Sequence, residues 1–479
     1  MGNDLMFRSA RDLAAMVRSG EVSARELVEA SYEAIGAANE ELNAFVTLCE
    51  DRALAEADAI QPGDGRPLAG VPIAIKDLVA LTEGVRTTFG SAALADWVPD
   101  HDSALVRRIR DAGAIIVGKT NLPEFGILPV SEPDLFGPCR NPWDTSRTPG
   151  GSSGGSACAV ASGMVPLAHA NDGGGSIRIP ASCCGLVGLK PSRGRVSLAP
   201  DFSEYVGGIA IEGVVSRNIA DTALSLDVIA GYEPGDPYWA PPPSAPFVKS
   251  IEGSPGNLRV AFATTAPLGI PVHEHCSEAA RETATLLDSL GHEVEEVTPK
   301  WNDEGYISNF LTIWIAGTGE EIHSYGRLYG KEIDVSKLEP LTQQMVEMAS
   351  EYSAVDYLRA LDYLHRLARR IVAFWNDYDV LVTPTLAQPP IPIGALRPAQ
   401  GEPPVKMLEN SAGFVPFTPV FNVTGQPAIS LPLSQSPDGL PIGVQFVGPP
   451  AGEELLLSLA AQLEAARPWA DRRPALAAA

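Results

Sequence analysis

The length, composition and charge of the chain exclude several classes of protein. Its 479 residues, 45% of them hydrophobic, suffice to bury a large core, and the 45 glycines and 42 prolines are spread between apolar runs. The formal net charge of −24 disfavours nucleic acid and anionic membranes as partners, because both attract an excess of lysine and arginine. The sequence shows no apolar run of membrane length and no secretory signal, so we expect a folded cytoplasmic protein.

Helices are predicted to open the fold. Ser23 and Glu26 resemble a capping box, which is typical of a helix N-terminus. Apolar residues that fit one helical stripe are Leu13, Val17, Val22, Leu27 and Ala30.

Two buried strands are predicted next. The run Gly70–Leu81 (GVPIAIKDLVAL) is apolar and β-branched, and we expect its strand to end near Asp77, with Lys76 as an unusual member. Ser103–Gly113 favours a helix, and the run AIIVGKTN directly after it favours a second strand. A helix that leads into a strand is typical of layered α/β folds, so we expect a mixed sheet between helices.

The rest of the chain continues this alternation. Residues 148–195 are the densest in glycine and serine, yet they include the helix-like run SACAVASGM and the apolar run CCGLVGLK, which indicates an ordered loop region. Cys276–Leu290 and Val355–Trp375 favour amphipathic helices, and DVLVTPT, QPAISLPL and PIGVQFVG favour strands. The Pro-rich stretches 233–244 and 388–404 indicate surface excursions.

Neither a disulfide framework nor a metal centre is indicated. The chain has no C-x-x-C pair, and its histidines make no metal-ligand pattern, so we expect no cofactor. Reduced, mostly buried thiols are the main interpretation, and a catalytic cysteine is the alternative. The six cysteines are Cys49, Cys139, Cys158, Cys183, Cys184 and Cys276.

Three features carry the chemistry, and the first is Lys76 inside the apolar run VPIAIKD. Burial removes the hydration of an ammonium and lowers the pKa of a lysine toward the range in which it acts as a base. The alternative is a structural lysine that pairs with the adjacent Asp77.

The second feature is the loop GGSSGGS, which spans residues 150–156. It lacks the G-K-[ST] ending of a phosphate-binding loop, and it runs directly into a helix-like segment as a flexible linker would not. Its glycines let Ser152 and Ser153 approach neighbouring groups closely, which favours a place in an active site.

The third feature is the turn NDGGGSIRIP, in which three glycines precede Ser176. Backbone N–H groups that point into one concavity form a nest for an oxyanion, and the candidate donors are those of Gly173, Gly174, Gly175 and Ser176. An ordinary glycine-rich turn is the alternative. The chain has no G-x-S-x-G elbow, so a serine nucleophile here needs a base other than the usual histidine.

His169 is the histidine nearest this turn and is the alternative base. It lies in the predicted buried strand PLAHANDGG, where a core histidine with satisfied hydrogen bonds is the more common role.

Taken together, these residues resemble the amidase-signature family. The block from GGSSGGS to GLKPSRGRV resembles the family signature almost residue for residue, and VPIAIKD, VGKTNLPEFG, NPWD and FNVTGQPAISLP resemble its flanking segments. The resemblance covers most of the chain. It implies an α/β fold, a central mixed sheet flanked by helices on both sides, in a single domain over residues 1–479, with a signature core at about 65–200 and a variable pocket region at about 200–420.

The resemblance also implies a Ser, cis-Ser, Lys triad composed of Ser176, Ser152 and Lys76, with Ser153 and Asp172 in support. Neutral Lys76 would take a proton through Ser152, and Ser176 would attack the carbonyl to form an acyl-enzyme. Amide, carbamate and ester substrates all suit such a site.

One departure from the family pattern concerns Gly173. The usual T-D-T-G-G-S is N-D-G-G-G-S here, and the missing side chain predicts room for a bulkier acyl group. The variant is similar to the branch that hydrolyses cyclic or oligomeric nylon-type amides and aryl carbamates. We also expect apolar pocket walls, whose candidates are Leu128, Pro129, Val130, Tyr205, Trp314, Ile315, Gly317 and Phe417.

Two other functions are alternatives. A glutamine amidotransferase-type subunit would work with a partner chain, and a binding-only family member would have lost a triad residue. We expect a monomer or homodimer that binds a small-molecule substrate.

Overall fold

An eleven-stranded mixed β-sheet runs through the computed structural model, which describes residues 5–477. The strands are β1 (Phe45–Leu48), β2 (Pro72–Lys76), β3 (Ile115–Thr120), β4 (Leu167–Asp172), β5 (Val187–Lys190), β6 (Ile211–Ser216), β7 (Arg259–Phe262), β8 (Glu293–Glu296), β9 (Val380–Pro384), β10 (Ala428–Gln435) and β11 (Pro441–Val447). Their order across the sheet is β1-β3-β2-β4-β6-β5-β10-β11-β9-β7-β8. Neighbours are parallel in β2–β3, β2–β4, β7–β8 and β7–β9 and antiparallel elsewhere, so the predicted mixed sheet is confirmed.

Fifteen α-helices in the described chain flank this sheet on both sides. They are α1 (Ala10–Ser19), α2 (Ala24–Leu42), α3 (Glu50–Asp58), α4 (Ala104–Asp111), α5 (Gly154–Ala161), α6 (Arg178–Cys184), α7 (Ile219–Ile229), α8 (Phe247–Ser250), α9 (Glu274–Ser289), α10 (Tyr306–Tyr329), α11 (Pro340–Glu351), α12 (Ala354–Val372), α13 (Lys406–Ala412), α14 (Pro419–Thr424) and α15 (Glu453–Ala466). Within residues 5–477, none of them combines the length and apolar character that crossing a membrane requires.

The local signals of the sequence agree with the elements found. Helix α2 begins after Ser23, whose side chain and that of Glu26 form the complete capping box. Strand β2 ends at Lys76, just before the predicted end near Asp77. The predicted helices at 276–290 and 355–375 correspond to α9 and α12. The largest omission is the 24-residue helix α10, whose apolar positions are interrupted by glycines and polar residues and give no single stripe.

The topology of the sheet brings the chemical features together. Strands β2 and β4 are parallel neighbours, so their carboxyl ends, at Lys76 and Asp172, meet at one edge. The serine-rich loop ends in α5, whose eight residues are all buried and pack against β4 and β2. The turn after β4 leads directly into α6. Three segments distant in sequence therefore converge at one end of the sheet.

Helix α5 lies so close to the end of β3 that its second residue has to be glycine. Gly155 N donates to Asn121 O at 3.0 Å, and a Cβ at Gly155 would lie 2.6 Å from the carbonyl oxygens of Ala44 and Asn121. We expect Gly155→Ala to lower the free energy of unfolding by about 1–3 kcal/mol, because backbone atoms would have to move apart.

Gly36 is the matched control, since it lies in α2 with no atom near the position of a Cβ. Gly36→Ala should raise the free energy of unfolding by about 0.5–1 kcal/mol, as expected for glycine in an exposed helix. Scanning calorimetry of the two variants tests the contrast. A Gly155→Ala variant as stable as the wild type would contradict the packing argument.

Candidate active site

Lys76 lies at the buried end of β2 and has two oxygen neighbours. Its Nζ is 2.6 Å from Ser152 Oγ and 2.5 Å from Asn171 Oδ1. The alternative ion pair with Asp77 is not found. The Asp77 carboxylate instead accepts from the N–H and hydroxyl of Thr88, at 3.0 and 2.6 Å.

The surroundings of Lys76 favour its neutral form. Complete burial lowers the pKa of the amine to about 7, while the carboxylates of Glu212 and Asp172 act in the opposite direction. Neither carboxylate is hydrogen-bonded to Nζ. At neutral pH a large fraction of Lys76 is therefore a free amine that can accept a proton.

Ser152 and Ser153 are held by a tight backbone loop. The peptide bond between Gly151 and Ser152 is cis. A Cβ at Gly151 would lie 2.5 Å from Val130 N, so this glycine permits the close approach of two backbones. Ser153 joins the neighbouring segments, because its N–H donates to Ser176 O at 3.3 Å and its hydroxyl donates to Asn171 O at 3.2 Å.

The turn that carries Ser176 is fixed by a buried ion pair between Asp172 and Arg178. Arg178 donates from Nε and Nη2 to the two carboxylate oxygens, at 2.9 and 2.8 Å. Burial would raise the pKa of Asp172, but the charge and hydrogen bonds of Arg178 lower it to about 2. The same carboxylate accepts the N–H groups of Gly175, at 2.8 Å, and Ile177, at 3.1 Å. Asp172 thus shapes the turn from within.

This arrangement corrects the predicted set of oxyanion donors. The N–H of Gly175 is used by Asp172, so it is not free for a substrate. Among residues 5–477, the N–H groups of Gly173, Gly174 and Ser176 have no hydrogen-bond acceptor. Gly174 O accepts from the Thr418 hydroxyl at 2.8 Å, which fixes the orientation of that peptide.

Two cavities meet at Ser176. The outer one has a volume of about 150 Å³ and mostly apolar walls. Among its wall residues are Ile127, Leu128, Pro129, Gly174, Ile179, Tyr306, Phe310, Leu311, Trp314, Val415 and Pro419. The inner one has a volume of about 20 Å³ and also includes Ser152, Asn171 and Gly173. Ser152 belongs to the wall of the inner cavity and not to that of the outer one.

The predicted wall residues divide between these cavities and other places. Leu128, Pro129 and Trp314 line the outer cavity, and Tyr205 lines the inner one together with Trp314. Val130 lines a separate cavity of about 300 Å³ next to them.

Three predicted wall residues lie elsewhere. Ile315 is buried in the core on another face of α10. Gly317 packs against Val206. Phe417 packs edge-on against Trp301, at 6.3 Å between ring centres. Phe310 and Leu311 also line the outer cavity and were not predicted, because the sequence of α10 gives no apolar stripe that marks the face toward the cavity.

Trp314 also corrects the expectation for Gly173. A Cβ at Gly173 would lie 3.1 Å from the indole ring of Trp314, so that ring fills the space left by the missing side chain. The glycine thus permits the approach of an aromatic wall rather than leaving a void for the substrate.

His169 and Asn171 form a second layer behind the lysine. His169 Nδ1 accepts from the backbone N–H of Lys76 at 3.3 Å, and its Nε2 contacts the Glu212 carboxylate. Both ring nitrogens are used inside the sheet, and His169 lies on neither cavity wall. Asn171 was missed as a functional residue. It pairs with Glu212 across β4 and β6 and places its amide oxygen on Lys76.

None of the six cysteines lies on the wall of either cavity, and all of them are free thiols. Burial raises the pKa of Cys276 to about 12, which disfavours a thiolate. In the part of the chain that the structure describes, no cluster of three His, Cys, Asp or Glu side chains is suited to a metal ion.

Comparisons with known proteins identify the family of the chain. The family model described as Amidase matches residues 26–457. The chain is 39% identical to the 6-aminohexanoate-cyclic-dimer hydrolase of Pseudomonas sp. (strain NK87), over 98% of this chain and 97% of that protein.

Solved structures show the same likeness. A 6-aminohexanoate cyclic dimer hydrolase complexed with substrate superposes with a TM-score of 0.95 at 39% identity, covering 98% of this chain and 99% of the other. A bacterial aryl acylamidase of the amidase signature family superposes with a TM-score of 0.86 at 26% identity, covering 97% of each chain. The chain therefore belongs to the amidase signature family and is a hydrolase that acts on amides.

Proposed function

We propose that the protein cleaves its substrate through an acyl-enzyme on Ser176, with Ser152 as proton relay and Lys76 as base. The observation that carries this proposal is the 2.6 Å contact between Lys76 Nζ and Ser152 Oγ in a buried site. Burial holds the pKa of Lys76 at about 7, so the amine can take the Ser152 proton. Ser152 then takes the proton of Ser176 as its oxygen attacks the carbonyl.

The remaining steps follow from the same groups. The free N–H groups of Gly173, Gly174 and Ser176 can donate to the developing oxyanion. The proton returns from Lys76 through Ser152 to the leaving nitrogen, and the C–N bond breaks. Water then takes the place of the amine, loses a proton along the same relay and releases the acid from Ser176.

The shape of the outer cavity supports an uncharged, largely apolar substrate. Its walls are mostly aromatic and aliphatic, with Phe310 and Trp314 stacked at 5.7 Å between ring centres, and Glu409 is the one charged residue among the described wall residues. Such walls favour aryl or alkyl amides, and the relatives named for a cyclic 6-aminohexanoate dimer support cyclic or oligomeric amides as well. Carbamates and esters fit the same oxyanion donors and are proposed as further substrates.

The two other functions have less support. All three triad residues are present and converge, which disfavours a binding-only protein. A glutaminase subunit would copurify with a second chain. Full amidase activity of the purified chain by itself would exclude that function.

Substitution of the triad is the direct test. We expect Ser176→Ala and Lys76→Ala each to lower kcat/KM for an aryl amide by at least about 10³-fold, because nucleophile and base act as one unit. Ser162→Ala is the control, since the hydroxyl of this buried serine donates to the carbonyl oxygens of Cys158 and Ala159 in α5. Hydrolysis of matched aryl amide, carbamate and ester substrates ranks the substrate classes. Retained activity in Ser176→Ala would refute the proposed nucleophile.

The pH profile tests the identity of the base. Below the pKa of Lys76, about 7, kcat/KM should fall about tenfold per pH unit because the amine is protonated, and above it kcat/KM should level off. Glu212→Gln removes a negative charge that favours the ammonium, so it should move the acid limb to lower pH. A flat profile between about pH 6 and 9 would contradict a lysine base.

Gly173→Thr tests the packing beside the nucleophile. A Cβ there would lie 3.1 Å from the Trp314 ring, which lines both cavities, so the ring has to shift and kcat/KM should fall more for a bulky acyl group than for acetyl. Adding Trp314→Leu to the same protein should restore the ratio of bulky to small substrate. An unchanged ratio in Gly173→Thr would show that this position does not limit the acyl group.

A further inference from the structure

Helix α10 changes in character along the wall of the site. Phe310 and Trp314 present aromatic rings to the outer cavity. One and two turns further on, Thr318 and Glu321 line the inner cavity, together with Ser152 and Ser176. The carboxyl group of Glu321 therefore belongs to the same cavity wall as the two serines, and it has no role in the proposed mechanism.

Only one of the two oxygens of the Glu321 carboxyl group has a hydrogen-bond partner among the described residues. Its Oε2 accepts from the Tyr205 hydroxyl at 2.8 Å, and that hydroxyl also contacts the Tyr325 hydroxyl. Its Oε1 is buried and has no hydrogen-bond partner among the described residues. The side chain is only 5% exposed, and burial raises the pKa of Glu321 to about 8, so both of its oxygens are acceptors above that pH.

A buried oxygen without a partner is costly, so a donor is expected to meet it when the site is occupied. The inner cavity has a volume of about 20 Å³, which holds one group about the size of a water molecule. Glu321, Ser152 and Ser176 all belong to the wall of this cavity. A donor that reaches Oε1 from the cavity is therefore close to the two serines.

The chemistry of the relay identifies that donor. Ser152 delivers the proton to the leaving nitrogen, and Ser152 lines the inner cavity but not the outer one. The leaving nitrogen therefore faces the inner cavity. When Ser176 adds to a secondary amide, the nitrogen becomes pyramidal and its lone pair must turn toward Ser152. Its N–H then points elsewhere and needs an acceptor.

We propose that Glu321 Oε1 accepts the N–H of the scissile secondary amide and so makes Glu321 a specificity-determining residue that favours amides over esters. This inference rests on the proposed function. In the tetrahedral intermediate the N–H bond stays intact and donates to Oε1, while the lone pair takes the Ser152 proton. The C–N bond then breaks and the primary amine leaves. An ester has no such N–H and gains nothing from Glu321.

The test compares three substrates with one acyl group, namely an anilide, its N-methyl anilide and an aryl ester, at about pH 9, where the Glu321 carboxyl group is ionised. Glu321→Leu should lower kcat/KM for the anilide by about tenfold or more, while the ester changes by less than about threefold. Glu321→Gln keeps a carbonyl oxygen and should restore most of the anilide rate. Glu320→Leu is the matched control on the exposed neighbouring position, and its anilide to ester ratio should equal that of the wild type.

Each outcome has a definite meaning. Equal losses for anilide and ester in Glu321→Leu, or no loss for the anilide, overturn the inference while Ser176→Ala remains inactive. If the wild type and Ser176→Ala cleave the anilide at equal rates, the proposed function is refuted instead. The anilide to ester ratio is internal to each sample, so a reduced folded fraction cancels. If Glu321→Leu does not fold, the wild-type enzyme provides the test. Its ratio of anilide to N-methyl anilide hydrolysis should exceed the same ratio for hydrolysis by hydroxide in solution, and an equal or smaller ratio overturns the inference.

Discussion

The burial of one lysine amine without a direct carboxylate partner is the constraint on which the site depends. Among residues 5–477, Lys76 Nζ forms hydrogen bonds only with the neutral oxygens of Ser152 and Asn171, although two carboxylates lie near enough to raise its pKa. Each carboxylate is held by another cation or donor, Asp172 by Arg178 and Glu212 by His169. If either bound Nζ directly, the amine would stay protonated and could not act as a base. The residues that bind the two carboxylates, Arg178 and His169, therefore influence the protonation state of Lys76.

Hydrogen bonds to a buried carboxylate also fix the turn before Ser176. Asp172 uses its two oxygens on Arg178, Gly175 and Ile177, and Asn422 Nδ2 donates to it from a segment 250 residues away, at 2.8 Å. The backbone is thereby held in one shape, which leaves three N–H groups free and pre-oriented. Donors fixed in this way need no reorganisation when charge develops on the substrate oxygen.

The sequence predicts the parts of this site that depend on local structure. The lysine in an apolar strand, the serine-rich loop and the three-glycine turn are all visible as short patterns, and the parallel pairing of β2 and β4 brings them together. The walls were less predictable, because they depend on α10, which lies more than 100 residues after the turn. Gly173 illustrates the limit, since its missing side chain is visible in the sequence but the Trp314 ring that fills the space is not.

The electrostatics of the assembled site match its apolar walls. Burial lowers the pKa of Lys76 to about 7, so its amine is substantially neutral near pH 7. A charged substrate would have to lose its hydration in a site that offers little compensating charge, which is costly. An uncharged amide meets no such penalty, and it provides both the carbonyl oxygen and the N–H that the free donors and the unpaired acceptor can use. In the proposed mechanism, burial therefore has two effects: it keeps the Lys76 amine neutral, and it favours an uncharged substrate.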